Sequence, residues 1–457
     1  MKKLAYFSPL NPIKSGISDY SEDLIPYLNG EFDIDVYIPN NFQMDNIELQ
    51  NKINIKEFYQ FDELYNNKEY DAVLYHMGNN YTAHNEIYEF AIKYPGVVVL
   101  HDYSLHHFFA AKTLEQGNIS AYKEEMFYCH GNEGLNKVNE FLNHKIPPIW
   151  ETDSLNYPLN LRLLDRSAGI IVHSQFASEM LKKQAPYAPI SVVPLPAPLI
   201  TDIDLIYSKM ITERETLGIS KDDFVICALG YANHTKRIDK VIEALKLIKE
   251  NKLIRNFKFF IVGEIAESYP LQDLIKKSNL VDEVICTGYV SLNQFDQYIA
   301  ASNMCVNLRY PTQGENSASL LKILGHGKPV IATDIGSFSE FPDEVVYKIG
   351  YVESEVDEII KTILKILDEN KEVKERHIIN YIQQNNCMAV CLANYKKIIS
   401  EIIYGQQNNV NLSFEKYVSE HVSNLSEMFI ELNDNKIIDQ YIDGNLEILV
   451  DSFLKCE

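Results

Sequence analysis

Residues 224–250, FVICALGYANHTKRIDKVIEALKLIKE, decide the fold. An unbroken apolar run ends at Gly230, too short for a helix and without the alternation of a half-exposed strand. After a polar turn, Ile238, Val241, Ile242, Leu245 and Ile248 return at the spacing of one helix face. A strand buried on both faces and followed by an amphipathic helix is the unit from which parallel α/β sheets are built.

The same unit recurs on either side. Downstream, FKFFIVG (257–263), EVICTGYV (283–290), MCVNLRY (304–310) and KPVIATD (328–334) read as further strands. Upstream, LAYFS, FDIDVYIP, DAVLYH, GVVVLHD, AGIIVHS and ISVVPLP form an earlier series, with helical segments such as SDYSEDLIPYL between them. The prolines of PLPAPLITDID (194–204) separate the two series. The pattern predicts an α/β protein of two Rossmann-like doubly wound domains facing a cleft, over residues 1–198 and 205–385. A closing helix is expected at 386–404 and a helical extension at 405–457. The extension carries an apolar stripe, Phe414, Tyr417, Val418, Val422, Leu425, Phe429 and Leu432, which needs either the body of the protein or a second copy to cover it.

At 457 residues the chain is too long for one core, and its composition, 46% hydrophobic and 23% charged, is that of a globular protein. A formal charge of −22 argues against nucleic acid or anionic membrane as partner, though not against a small anion in a pocket. No apolar run reaches the roughly 18 residues of a membrane span, and MKKLAYFSPL lacks the apolar core of a secretion signal, so a cytoplasmic protein is expected. The seven cysteines are scattered among apolar residues and read as free buried thiols.

Four loops at the carboxyl ends of strands carry the candidate chemistry. In SPLNPIKSGISDY (8–20), Gly16 allows close approach to a ligand, and Ser18 can cap the next helix. In LHDYSLHH (100–107), three histidines with an aspartate suggest metal, but the spacing is not that of a helical zinc pair. His101 is better read as a hydrogen-bonding group, with His106 and His107 structural. In GYANHTKRID (230–239), Lys236 and Arg237 stand at a helix start beside a glycine turn, where a diphosphate could sit. In RYPTQGENSASLLK (309–322), Arg309 ends a strand, Asn316 and Ser317 are candidate caps, and Glu315 stands just ahead of the helix.

Taken together these stretches resemble the glycosyltransferases of the GT-B fold, in particular family 4, the retaining, glycogen-synthase-like group. The resemblance covers about residues 1–403 and is carried by SPLNPIKSGISDYS, GNNYTAH, PGVVVLHDYSLHH, VHSQFA, GYANHTKRIDKVIEAL, IVGE, TGYV and LRYPTQGENSASLLKILGHGKPVIATDIGSFSEFPD. It implies metal-independent transfer from a nucleotide sugar, with UDP or GDP as the nucleotide, to a glycan or glycoprotein acceptor.

By position, the resemblance gives Gly16 and Ile17 to the diphosphate loop and His101 to the donor sugar. Lys236 and Arg237 would neutralise the leaving diphosphate beside Gly230, with Arg309 in support. Glu315, Asn316 and Ser317 would hold hydroxyls and phosphate, and Tyr289 and Val290 would lie near the base. Lys322 stands where the family commonly has a ribose-binding glutamate, and Tyr231 stands where it has an arginine. A non-catalytic subunit that binds a partner protein, or a nucleotide-sugar epimerase of the same architecture, are the other readings.

Overall fold

The computed structural model describes residues 1–406; the expected extension at 405–457 lies almost wholly outside the described residues. Seven parallel strands make the first sheet: β1 (Lys3–Phe7), β2 (Asp33–Ile38), β3 (Asn54–Glu57), β4 (Ala72–Met77), β5 (Val97–Leu100), β6 (Gly169–Val172) and β7 (Ile190–Val192). Their order is β3-β2-β1-β4-β5-β6-β7, so the chain reverses direction of travel between β1 and β4. The second sheet holds β8 (Phe224–Leu229), β9 (Phe257–Val262), β10 (Val284–Gly288), β11 (Met304–Asn307), β12 (Val330–Thr333) and β13 (Tyr347–Ile349), in the order β10-β9-β8-β11-β12-β13. Its reversal falls between β8 and β11.

These strands are parallel because helices connect them, and both faces are covered. β8 is buried along its whole length, as its unbroken apolar run requires. The helix Ile238–Glu250 turns Val241, Ile242, Ala244, Leu245 and Ile248 onto the sheet. β3 and β13, which the sequence reading did not name, are each one of the two edge strands of their sheet; the opposite edges, β7 and β10, were named. Edge strands are half-buried and carry no continuous apolar run, so their signal is weaker than that of a central strand.

Between the sheets, the chain has no regular structure from Val193 to Thr201, and Asp202 caps a helix, Ile203–Thr216, that starts inside the expected linker. The irregular segment is strapped to the second half of the chain. Ala197 N donates to Asn386 O at 2.7 Å, Ile200 N to Gly325 O at 3.0 Å, and Asn386 Nδ2 to Leu195 O at 3.0 Å. The final described helix, Met388–Gln406, continues from there and brings the Tyr395 hydroxyl to 2.6 Å from that of Tyr20 in the first half.

Gly325 is the closest point of this strapping. A Cβ there would stand 1.7 Å from Pro198 O, a backbone atom that cannot swing aside. Gly325→Ala should therefore destabilise the protein by about 1–3 kcal/mol or more through overpacking. Urea denaturation tests this: an unchanged midpoint would mean the strap yields freely.

Candidate active site

Two loops meet at the reversal point of the second sheet, where α/β proteins place ligands. β8 is followed at once by Gly230, whose φ of 92° suits glycine. The turn His234–Lys236 follows, and Lys236 Nζ donates to Leu229 O at 3.1 Å. Desolvation, reinforced by the Arg309 cation and opposed by Glu315, pushes the Lys236 amine down to about 7. From the end of β11, Arg309 Nε lies 2.7 Å from Glu315 Oε1, an ionic contact poorly aligned as a hydrogen bond, and its Nη1 donates to Thr235 Oγ1 at 3.1 Å.

Glu315 is fully engaged. Its other oxygen accepts from Thr312 Oγ1 at 2.8 Å and from Gln313 N at 2.7 Å. Ser317 is the cap of the helix Ala318–Gly325, accepting from Leu320 N at 3.1 Å and from Asn307 Nδ2 at 2.9 Å. Asn316, Ser317 and His173 border a small cavity of about 30 Å³, room for a water molecule.

The first half of the chain faces this cluster with the ends of β1, β4, β5 and β6. Ser15, not Ser18, caps the helix Gly16–Asn29, accepting from Ile17 N at 3.2 Å; Ser18 Oγ donates instead to Ile13 O. A side chain at Gly16 would enter open space. Gly78, by contrast, is enclosed: a Cβ would meet Ile17 Cδ1 at 2.5 Å, His84 Nε2 at 3.0 Å and Asp102 Oδ2 at 3.2 Å.

Three neighbouring strands each place a histidine within a residue of their carboxyl end, His76 inside β4 and His101 and His173 just past β5 and β6, and the rings form a directed chain. His173 Nδ1 lies 2.8 Å from Val193 O, an acceptor, so that nitrogen carries the proton and Nε2 does not. His101 Nδ1, 3.1 Å from His173 Nε2, must then donate, leaving His101 Nε2 to accept from His76 Nδ1 at 3.0 Å. His76 Nε2 ends the chain as a buried acceptor without a partner. Burial holds all three rings well towards the neutral form, His173 at about 4. Both nitrogens of His101 are thus taken by other histidines, which its sequence context alone did not indicate.

Asp102 completes the facing side. Its Oδ2 accepts from Asn79 N at 2.8 Å, yet burial, with help from Glu315, pushes the carboxyl up to about 6. Asn79 Nδ2 reaches Gln313 Oε1 at 3.1 Å, and Ser104 N reaches Gln313 O at 3.3 Å, so the two halves touch through Gln313. Gly314, at φ 75°, lets this loop lie against Tyr103. Further out, Glu340 accepts from Gln175 N at 3.0 Å and Phe176 N at 2.6 Å, capping a helix of the first half from the second.

Among the other expected residues, Arg237 has φ 54° and is ion-paired with the buried Glu355, its Nε donating at 3.2 Å. Lys322 Nζ lies 3.6 Å from Asp296 Oδ1, so the position compared to a ribose-binding glutamate holds a cation paired with a carboxylate, and its charge opposes the burial that raises Asp23. Val290 is half-buried and Tyr289 exposed, with Lys14 Nζ 5.0 Å from the Tyr289 ring centre. His106 is structural: Tyr157 O and the Tyr122 hydroxyl take its two nitrogens. His107 meets Glu151 at 3.2 Å.

Asn79, Gln313, His76 and His173 were not singled out from sequence, and Asp102 was weighed only as a metal ligand beside the histidines of LHDYSLHH. The histidines had a readable signal, since DAVLYH, VVVLHD and IIVHS all carry one at the strand end. Asn79 and Gln313 had none, because their partners are fixed only by the packing of one half on the other.

Two facing Rossmann-like sheets, with polar loops meeting at their carboxyl ends, define the GT-B fold of glycosyltransferases. Within that fold, residues 209–385 match the family model described as glycosyl transferases group 1. No curated protein sequence matches the chain significantly. Among solved structures, it is similar to a sucrose-phosphate synthase from Thermosynechococcus elongatus, with 13% identity, a TM-score of 0.61, and 89% of this chain and 100% of that one covered. HepE of Anabaena, solved in complex with UDP, aligns at 16% identity and a TM-score of 0.59 over 88% of this chain and all of its own. WaaG, a glycosyltransferase involved in lipopolysaccharide biosynthesis, aligns at 16% and 0.54 over the same shares. At such identities the likeness is one of fold. Among the described residues no helix is long and apolar enough to cross a membrane.

Proposed function

We propose that the chain is a retaining, metal-independent glycosyltransferase that moves a sugar from a nucleotide-sugar donor to a glycan or glycoprotein acceptor. The observation that carries this reading is the Lys236–Arg309–Glu315 cluster beside the start of the helix Ala318–Gly325, at the reversal point of the sheet. Two cations and the free amides of a helix start are what a departing nucleoside diphosphate needs, because negative charge grows on it as the sugar leaves. They supply positive charge that a metal would otherwise have to bring.

Retention in this reading needs no enzymic nucleophile, because the acceptor attacks on the face that the diphosphate leaves. Both oxygens of Glu315 are occupied, so it is poorly placed to attack the sugar as a nucleophile. Instead the acceptor oxygen bonds to the anomeric carbon on the face from which the diphosphate leaves. As that bond to phosphate breaks, the departing phosphate oxygen takes the acceptor's hydroxyl proton. A uridine or guanosine diphosphate sugar is the donor class, with Lys14 and Tyr289 at the edge where a base would lie.

A panel of nucleotide sugars tests the reading. One donor should raise the melting temperature and be slowly hydrolysed, and both effects should be lost in Lys236→Ala and reduced in Glu315→Ala. If no nucleotide or nucleotide sugar stabilises the protein at millimolar concentration, the partner-binding subunit becomes the better reading.

A further inference from the structure

The first sheet has a reversal point of its own, between β1 and β4, and a cavity opens nearby. It measures about 340 Å³, within the range of small-molecule sites, about 300–1,000 Å³. Pro9, Ile13, Pro39, Phe58 and Ile87 give it apolar walls, from the ends of β1, β2 and β3 and from the helix Tyr81–Lys93. Thr82, Asn85 and Glu86, on one face of that helix, give it a polar edge, and Tyr81 stands beside them.

Its charge is unlike that of the donor cluster. Glu86 is the single charged side chain among the lining residues, exposed and without an ion-pair partner among the described residues. No lysine, arginine or histidine lines the cavity. Lys112 reaches Asn85 Oδ1 at 2.9 Å but is also ion-paired with Glu89, and Lys14, next in the chain to Ile13, lies by the Tyr289 ring. A phosphate or carboxylate entering here would meet the Glu86 carboxylate and no cationic lining residue. A neutral sugar fits: its C–H faces lie on proline and aromatic walls, and its hydroxyls donate to Glu86 and pair with Thr82 and Asn85.

The cavity also lies close to the facing loops. Tyr81 follows two residues after Asn79, whose amide holds Asp102 at 2.8 Å; two residues span at most about 7 Å. Building on the glycosyltransferase reading, we propose that this cavity seats the acceptor, and that the part of the acceptor it grips is an uncharged saccharide, not a sugar phosphate or acidic sugar.

Saturation-transfer NMR on the full chain tests this with methyl β-glucoside, methyl β-galactoside, methyl N-acetyl-β-glucosaminide and glucose 6-phosphate. At least one neutral glycoside should bind, and glucose 6-phosphate should not. Glu86→Gln should weaken the glycoside about tenfold by removing a charge-assisted acceptor. Thr82→Trp, at an exposed position, should abolish binding by filling the mouth, while hydrolysis of the nucleotide sugar by water continues unchanged. Glu86→Arg should admit glucose 6-phosphate. Binding of the phosphate to the unaltered protein, failure of every neutral glycoside, or indifference to Thr82→Trp would each overturn the proposal. Absence of any nucleotide-sugar binding would instead overturn the glycosyltransferase reading, and glycoside binding would still stand.

Discussion

Acidification from pH 7 to pH 5 should unfold the protein, or bring it close to unfolding. Burial pushes His84 and His173 to about 4 and His106 to about 3, while unfolded histidine titrates near 6.5. A lowered folded value means that the unfolded chain binds more protons below pH 6.5. Stability is therefore fully present above that pH and drains away as pH falls through 6 towards 4. Each such group can contribute about 1.4 kcal/mol per pH unit, so these three alone approach 4 kcal/mol per unit, a large part of a typical 5–15 kcal/mol. His76 and His101 are shifted in the same direction and steepen the loss. Burial also lowers His130, to about 4, and His326, while the raised carboxyls of Asp23, Asp102, Glu125 and Glu340 work the other way and favour the folded state as pH falls, four groups against seven among the described residues. Melting curves from pH 7.5 to 4.5 decide the matter: a melting temperature constant down to pH 5 would mean that the histidine rings are not held neutral by burial.

The second large effect concerns Lys236. Under the proposed function, Lys236→Ala removes one of two cations facing the departing diphosphate, and kcat should fall about 100- to 1,000-fold, the usual loss for one preorganised donor. The fold should survive, because the amine's desolvation is unfavourable to begin with. A pH signature accompanies it. With the free amine at about 7, Lys236 is charged below neutrality and increasingly neutral above it. Donor affinity should weaken about twofold from pH 6 to 7 and approach about tenfold per unit above pH 8, a trend absent in the alanine variant. A donor affinity independent of pH between 6 and 9 would remove Lys236 from the diphosphate site.

Much of this architecture was legible in the residues themselves. The central strands β8 and β9 declare themselves as apolar runs because parallel sheets are covered on both faces. β3, as NIKE, could not, since an edge strand borrows its order from one neighbour. Within the candidate site, Lys236, Arg309 and Glu315 were readable from their place after strand ends, and the structure brings these three together. The occupation of Arg237 by Glu355 was not, because 118 residues separate them. Nor was the histidine chain: three separate strand ends had to be aligned side by side before their rings could be seen to meet. Sequence spacing reports what a loop can offer, whereas packing decides which of those groups is already spoken for.

The chain passes between the two halves near Pro194–Pro198 and returns through Asn386–Cys391, and these passages are bonded to each other, Cys391 Sγ standing 2.9 Å from Pro194 O. Two adjacent crossings act like the knuckles of a door hinge: they permit swinging about one line and resist sliding or twisting. The contacts on the opening side include polar ones, Gln313 with Asn79 and Ser104, Lys14 with Tyr289 and Glu340 with Gln175 and Phe176, which act as a catch. Under the proposed function, such a hinge lets donor and acceptor exchange by a rotation that leaves both sheets intact.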